Sequence, residues 1–404
     1  MRLRGAYPYG DDEMEIKRSF WQHLIEQAWQ ERSVIWLMGV RRMGKTKLCQ
    51  SLPNVEYFDC EIPEVRQALS NITLFLESQH GKRIVLDEIH CLDNPSQLLK
   101  IAADYHPSVK IIATGSSTLG ASAKFSDTLT GRKREVWLSS LLLEETEKLE
   151  NFTIERRFLF GGLPAYFTAQ KLPEADFREW NDAYWAKDIQ DLFTVGKRQS
   201  FLKFAALLLA QSGGQFEASK FTVSCEVSRP TINNYLAILE ETFVVHVIRP
   251  FSTYRQTEIV SAPKVYGFDT GFVCYAKMWS TLRKEDNGIL WEHCVLNEIQ
   301  AYLQIRSINY WRDKRGHEID FVLRSGRDTI TAIECKFSSL SISGDRAALA
   351  AIGKNFAAFR DLYPHGENYV VCYDVTIPFQ RKHDDLILSF VHPRDLIKNL
   401  KNKE

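Results

Sequence analysis

Paired cysteines are missing from this sequence: its eight cysteines stand at positions 49, 60, 91, 225, 274, 294, 335 and 372, with no Cys-x-x-Cys and no spaced histidine pair. That scatter excludes a disulfide framework and a zinc finger, and reads as small core residues in a reducing compartment. Excess charge is missing too. The 404 residues carry 51 Lys and Arg against 51 Asp and Glu, so a polyanion has to be held by a local patch and not by bulk field. Apolar runs such as Phe204–Ala210 fall well short of the roughly 20 residues a membrane-spanning helix needs. The mixed charges of Met1–Phe20 argue against a signal peptide. The expectation is a soluble, cytoplasmic chain of two to four domains, at roughly 100–200 residues each.

Short apolar runs at 33–38, 83–86 and 110–114 predict buried strands, with helices over Lys45–Leu52 and Pro95–Tyr105 between them. That alternation predicts a parallel α/β sheet. Helical periodicity then runs from Leu138 to Gln211, broken at Gly161-Gly162-Leu163-Pro164. From Glu217 to Phe251, two short helical segments flank Val227-Ser228-Arg229-Pro230 and an apolar run, Phe243–Ile248, follows, the order of a helix-turn-helix with a wing. Strand-like runs return at 308–312, 318–323, 330–336 and 369–373, after a long helix over Ile289–Gln304. The expected division is 1–137, 138–198, 199–255 and 256–404.

Gly39-Val40-Arg41-Arg42-Met43-Gly44-Lys45-Thr46 fits G-x-x-x-x-G-K-[ST] between a predicted strand and a predicted helix. Glycines let backbone N–H groups close around phosphate oxygens, and the helix N-terminus adds its positive end. Lys45 is expected to reach the β- and γ-phosphates of ATP, and Thr46 to ligate Mg²⁺. Arg83–Glu88 ends a buried strand in two carboxylates; Asp87 is expected in the Mg²⁺ shell, with Glu88 activating water. Thr114 and Ser116, after the next strand, are candidates to touch the γ-phosphate, the alternative being a plain turn.

These motifs, with Gly131-Arg132, Gly161–Pro164, Lys187-Asp188-Ile189, Ala262–Tyr266 and Asp269-Thr270-Gly271, resemble a family of prokaryotic AAA-type ATPases. In it the core is joined to a winged helix and a C-terminal domain of unassigned function. The resemblance spans nearly the whole chain. Val40 replaces the usual Pro and Lys187 the usual Arg. The resemblance implies that Arg132 is an arginine finger, supplied in trans within a homo-oligomer and worth roughly 10³ to 10⁵ in rate. The alternative is a solvated basic turn of Arg132, Lys133 and Arg134.

Ser228 is a good N-cap and Pro230 suits a first turn, which predicts a recognition-type helix over 229–240. It offers Arg229, Thr231, Asn233 and Asn234 to DNA; the alternative is a protein-docking spacer. Further on, Glu318–Leu323 and Ala332–Lys336 alternate polar and apolar residues, which sets Asp320, Glu334 and Lys336 on one face of adjacent strands. This resembles the PD-(D/E)XK nuclease core, which implies a restriction-endonuclease-like α/β fold. There the two carboxylates hold Mg²⁺ and the lysine steadies hydroxide or phosphate. Glu292 matches the extra carboxylate of some members, and Glu298 is the poorer candidate because it lies about 120° round the same helix. An exposed hairpin face is the structural alternative. Trp311, Arg312, Lys314 and Arg315 are expected near the same edge for a nucleic-acid backbone.

The expected whole is an α/β ATPase with helical lid, winged helix and nuclease-like domain, binding ATP and Mg²⁺ and acting on DNA. The alternative is a nucleotide-dependent switch or scaffold that binds a protein partner and carries an inert C-terminal site.

Overall fold

The computed structural model describes residues 16–115, 129–189, 197–252, 262–324, 326, 329–340 and 345–402. Ser116 and Ser117 lie outside the described residues.

The first sheet is parallel throughout. Its strands are β1 (Val34–Met38), β2 (Val55–Asp59), β3 (Arg83–Asp87), β4 (Lys110–Thr114) and β5 (Lys133–Trp137), in the spatial order β2-β3-β4-β1-β5. Every residue of β1 is buried because both faces are covered. Ile35 and Leu37 pack with Trp21 and Ile25 of the helix Ser19–Glu31. Val34, Trp36 and Met38 pack with Val65 and Leu69 of Pro63–Leu69 and with Leu98 and Leu99 of Pro95–Tyr105. Burying such side chains stabilises by about 1.5–3 kcal/mol each. The expected strands and the helix Pro95–Tyr105 are present; β2 and β5 are additional. Lys133 starts β5 and pairs with Glu135, so the basic stretch 132–134 runs into a strand and is not a free turn.

The described residues between Leu143 and Ala210 carry the expected helices in short pieces that include Ile154–Phe160, Pro164–Phe167, Glu174–Tyr184 and Arg198–Ala210. The breaker at Gly161-Gly162 marks an interlock. A Cβ on Gly161 would sit on Asp269 Oδ1, and the Gly162 N–H donates to Asp269 Oδ2 at 2.7 Å. Arg157 donates to Thr270 Oγ1 at 3.0 Å and to Ser140 Oγ at 3.3 Å. The motifs at 161–164 and 269–271 thus form one buried joint.

Helices Ser219–Cys225 and Arg229–Glu241 follow, with Ser228 Oγ accepting from Thr231 N. The strand expected as a wing, β6 (Val245–Pro250), pairs antiparallel with β7 (Lys264–Gly267) and parallel with β8 (Asn309–Arg312). Its apolar residues are thereby shared with the C-terminal sheet, across the boundary expected at 255. That eight-stranded sheet continues through β9 (Glu318–Arg324), β10 (Ile330–Cys335), β11 (Asn368–Val371), β12 (Phe379–His383) and β13 (Leu386–Val391), ordered β12-β13-β11-β10-β9-β8-β6-β7. Helices Asp286–Leu303 and Pro393–Lys401 pack with one cluster of its apolar residues and Arg346–Leu362 with the other.

Candidate functional site

The glycine loop, Asp87 and Thr114 all fall at the carboxyl ends of parallel strands, the edge where open α/β sheets bind ligands. β4 lies between β1 and β3. Gly39 has φ +152°, and a Cβ there would meet Leu138 O at 2.6 Å; Gly44 has φ +88°. Only glycine fits both places without strain.

Lys45 Nζ donates to the carbonyls of Gly39 at 2.7 Å and Val40 at 3.2 Å. Burial lowers its pKa, against the pull of Glu88, Asp188 and Asp87. Asp87 is the hub: Thr46 Oγ1 donates to Oδ2 at 2.8 Å, and the hydroxyls of Tyr57 and Thr114 also donate to this carboxylate. Glu88 takes φ +50° and pairs with His90 at 3.2 Å. Burial alone would raise the Glu88 pKa, but the hydrogen bond from His90 and the charge of Lys45 hold it below the ordinary value. The Glu88 hydrogen bond raises His90 in turn.

The helical segment closes over the loop. Arg41 Nε donates to Asp188 at 3.2 Å, Trp180 Nε1 donates to Arg41 O at 3.0 Å, and Arg42 donates to Tyr166 and Glu179. Arg132 precedes β5 beside the start of β1, at the opposite strand end from Gly39. Strands rise by about 3.3 Å per residue, so Arg132 stands some ~15–20 Å along the sheet from its own loop. It is paired with Asp104 at 2.7 Å.

A second constellation forms in the C-terminal sheet. Asp320 Oδ2 accepts from Cys335 N at 2.8 Å, and Glu334 Oε1 accepts from Lys336 Nζ at 2.8 Å. Glu334 is 4% exposed and its Oε2 has no hydrogen-bond partner. Burial, then the Asp320 charge, push Glu334 up to about 7. The same causes push Glu292 up to about 8, and Tyr266 donates to it at 2.8 Å. Lys264, from β7, pairs with Glu318, lies 3.8 Å from Asp320 and sits 5.5 Å above the Tyr310 ring. Burial would lower the Lys264 pKa, but Asp320, Glu292 and Glu318 raise it.

Among the described residues no three His, Cys, Asp or Glu side chains converge as a ready metal set, so Glu292, Asp320 and Glu334 are not a closed three-ligand site. Asp320 and the open oxygen of Glu334 fit the other pattern for Mg²⁺, one or two carboxylates with water and substrate phosphate. Glu298 instead accepts from Leu143 N at 2.9 Å, a joint between segments. Trp311 is buried against Phe359 and is unavailable for stacking on a base, because β8 lies inside the sheet under the helix Arg346–Leu362. Arg312, Lys314 and Arg315 are exposed.

Tyr57 and His90 lie outside every sequence motif, and Asp188, Lys264 and Tyr266 lie in motifs to which the sequence assigned no role. The signals present were the histidine three positions after Asp87 and the alternation of Lys264 and Tyr266 about the apolar Val265.

Residues 31–147 match the family described as AAA domain; residues 151–283 and 287–384 match two domains of unknown function, DUF8612 and DUF4143. The chain is 29% identical over 318 residues to uncharacterized protein Rv2008c of Mycobacterium tuberculosis and, equally, to Mb2031c of Mycobacterium bovis, covering 75% of this chain and 70% of each relative. Among solved structures it is similar to the Walker-type ATPase paby2304 of Pyrococcus abyssi, at 14% identity and TM-score 0.45, covering 65% of this chain and 96% of that one. It is also similar to a signal-transduction ATPase with a tetratricopeptide repeat sensor from Pyrococcus horikoshii, at 14% identity and TM-score 0.30, covering 72% and 47%.

Proposed function

We propose that this chain, whose residues 31–147 form an AAA-type P-loop ATPase domain, binds and hydrolyses ATP with Mg²⁺ and uses the cycle to act on DNA. The observation that carries the nucleotide half is a half-buried lysine, Lys45, that donates to carbonyls beside a Thr46–Asp87 hydrogen bond. That is a cation and a magnesium-type donor pair arranged around glycine backbone.

In this reading the loop amides of residues 39–46 and Lys45 bind the triphosphate tail. Thr46 and Asp87 would hold Mg²⁺, which would supply positive charge against the phosphate tail. Glu88, once free of His90, orients the attacking water, and Thr114 fixes Asp87. Arg132 serves a neighbouring copy, since its place at the far strand end keeps it from its own loop; hydrolysis then depends on assembly. Residues 138–198 act as a lid, and 199–255 act as a winged helix whose exposed Arg229, Asn233 and Asn234 face DNA. Residues 256–404 act as a nuclease-like domain in which Asp320 and Glu334 would hold Mg²⁺, Lys336 would steady the scissile phosphate and Glu292 would assist.

A second reading has support from Lys264 and Lys336, which already pair with the C-terminal carboxylates: a nucleotide-dependent switch with a protein partner and an inert C-terminal site. Two assays separate them. ATP turnover is measured with linear, circular and branched DNA, and metal-dependent nicking is measured for wild type and Lys336→Ala. Turnover that responds to DNA, with nicking lost in the variant, is expected. Turnover indifferent to every DNA and no nicking by wild type would leave the switch.

A further inference from the structure

The helical segment puts a carboxylate inside the nucleotide site that neither phosphate motif requires. Asp188 stands in a π-helical turn, Trp185–Ile189, a geometry uncommon in helices and frequent at functional positions. Its side chain is 4% exposed, and its Oδ2 accepts from Arg41 Nε at 3.2 Å. Arg41 is held to this segment a second time, through its carbonyl and Trp180 Nε1 at 3.0 Å.

The surroundings have one sign on each side. Burial raises the Asp188 pKa, Arg41 and Lys45 lower it, and Glu88 raises it again. The Asp188 carboxylate is therefore bonded to Arg41 and feels the charge of Lys45, the cation proposed to engage the phosphate tail, with Glu88 as a neighbouring like charge. A carboxylate and a phosphate that share one cation repel each other, so the two compete for Arg41.

We propose that Asp188 is an internal stand-in for phosphate, which holds Arg41 and has to be displaced before a polyphosphate tail can bind. The inference rests on the reading of Gly39–Thr46 as the phosphate cradle. It also names the ligand class: a tail with several charges outcompetes a single carboxylate, whereas a nucleoside monophosphate does not. Displacement frees the turn 185–189 from the loop, so phosphate arrival is reported directly to the helical segment.

The test uses the full chain, with magnesium-ATP and magnesium-tripolyphosphate titrated calorimetrically into wild type, Asp188→Asn and Asp188→Glu. A latch that leaves the loop competent one time in ten weakens apparent affinity about tenfold. Asp188→Asn keeps the side chain's size and removes its charge, so both ligands are expected to bind about tenfold more tightly. Asp188→Glu, which restores the charge, returns toward wild type. A purely structural role predicts the reverse, since damage to the site loosens binding. Unchanged or weaker binding by Asp188→Asn, with wild type binding normally, overturns the proposal and leaves the cradle standing. Failure of wild type to bind either ligand overturns both.

Discussion

The nucleotide loop and the C-terminal carboxylate cluster are built from similar parts that are satisfied to different degrees. At the loop, Asp87 is satisfied by three hydroxyls while the half-buried Lys45 donates to carbonyls and has a lowered pKa. In the C-terminal sheet, Lys336 and Lys264 have carboxylate partners while Glu334 keeps an unpartnered buried oxygen and Glu292 and Glu334 titrate high. Buried polar groups are normally satisfied, so an orphan marks what is missing. At the first site the carboxylate is fully satisfied, whereas the open Glu334 oxygen at the second fits a cation or a proton.

The largest effect that would sharpen this contrast concerns completeness. In the proposed reading the loop takes its arginine finger, Arg132, from a neighbouring copy, whereas the C-terminal cluster is assembled within one chain. Arg132→Ala is expected to lower ATP turnover by about 10³-fold, and wild-type turnover per chain should rise with protein concentration. Turnover that is independent of concentration and untouched by the substitution would place Arg132 outside catalysis.

Next in size is Lys264→Met, which leaves Glu318 and Asp320 without their buried cation. Removing one partner of such a pair costs about 3 kcal/mol. Thermal unfolding should show the loss, and Mn²⁺ or Mg²⁺ should restore part of it by supplying the cation. A variant as stable as wild type, and indifferent to metal, would break the contrast.

The smallest effect is a pH slope. Glu334 has a folded pKa near 7 against an ordinary 4.5, so the folded protein holds the extra proton. Its favourable contribution is complete below about pH 4.5 and is lost as pH rises through 7. Relative to Glu334→Gln, wild type should lose about 2 °C of Tm across that window, and magnesium at pH 8 should return it. Parallel melting curves at every pH would remove the cation deficit from the account.

Legibility in the sequence followed the same division. β1, β3 and β4 are almost wholly buried, and their continuous apolar runs were plain. β2 and β5 are half exposed or charged at the sheet edges, so periodicity gave no signal. The loop motif was legible because its function needs consecutive residues. Asp188 on Arg41 and Lys264 on Asp320 bring together residues 147 and 56 positions apart, which no local pattern encodes. β6 was visible as a strand, but its partners in β7 and β8 depend on pairing across a long connection.

The account stands on Lys45 as a cation awaiting a polyphosphate. Calorimetric titration of magnesium-ATP into the purified full chain and into Lys45→Ala tests that directly. Saturable binding of one nucleotide per chain, lost in the variant, is the predicted result; a wild-type chain that takes up no nucleotide, or a variant that binds as tightly as wild type, would contradict it.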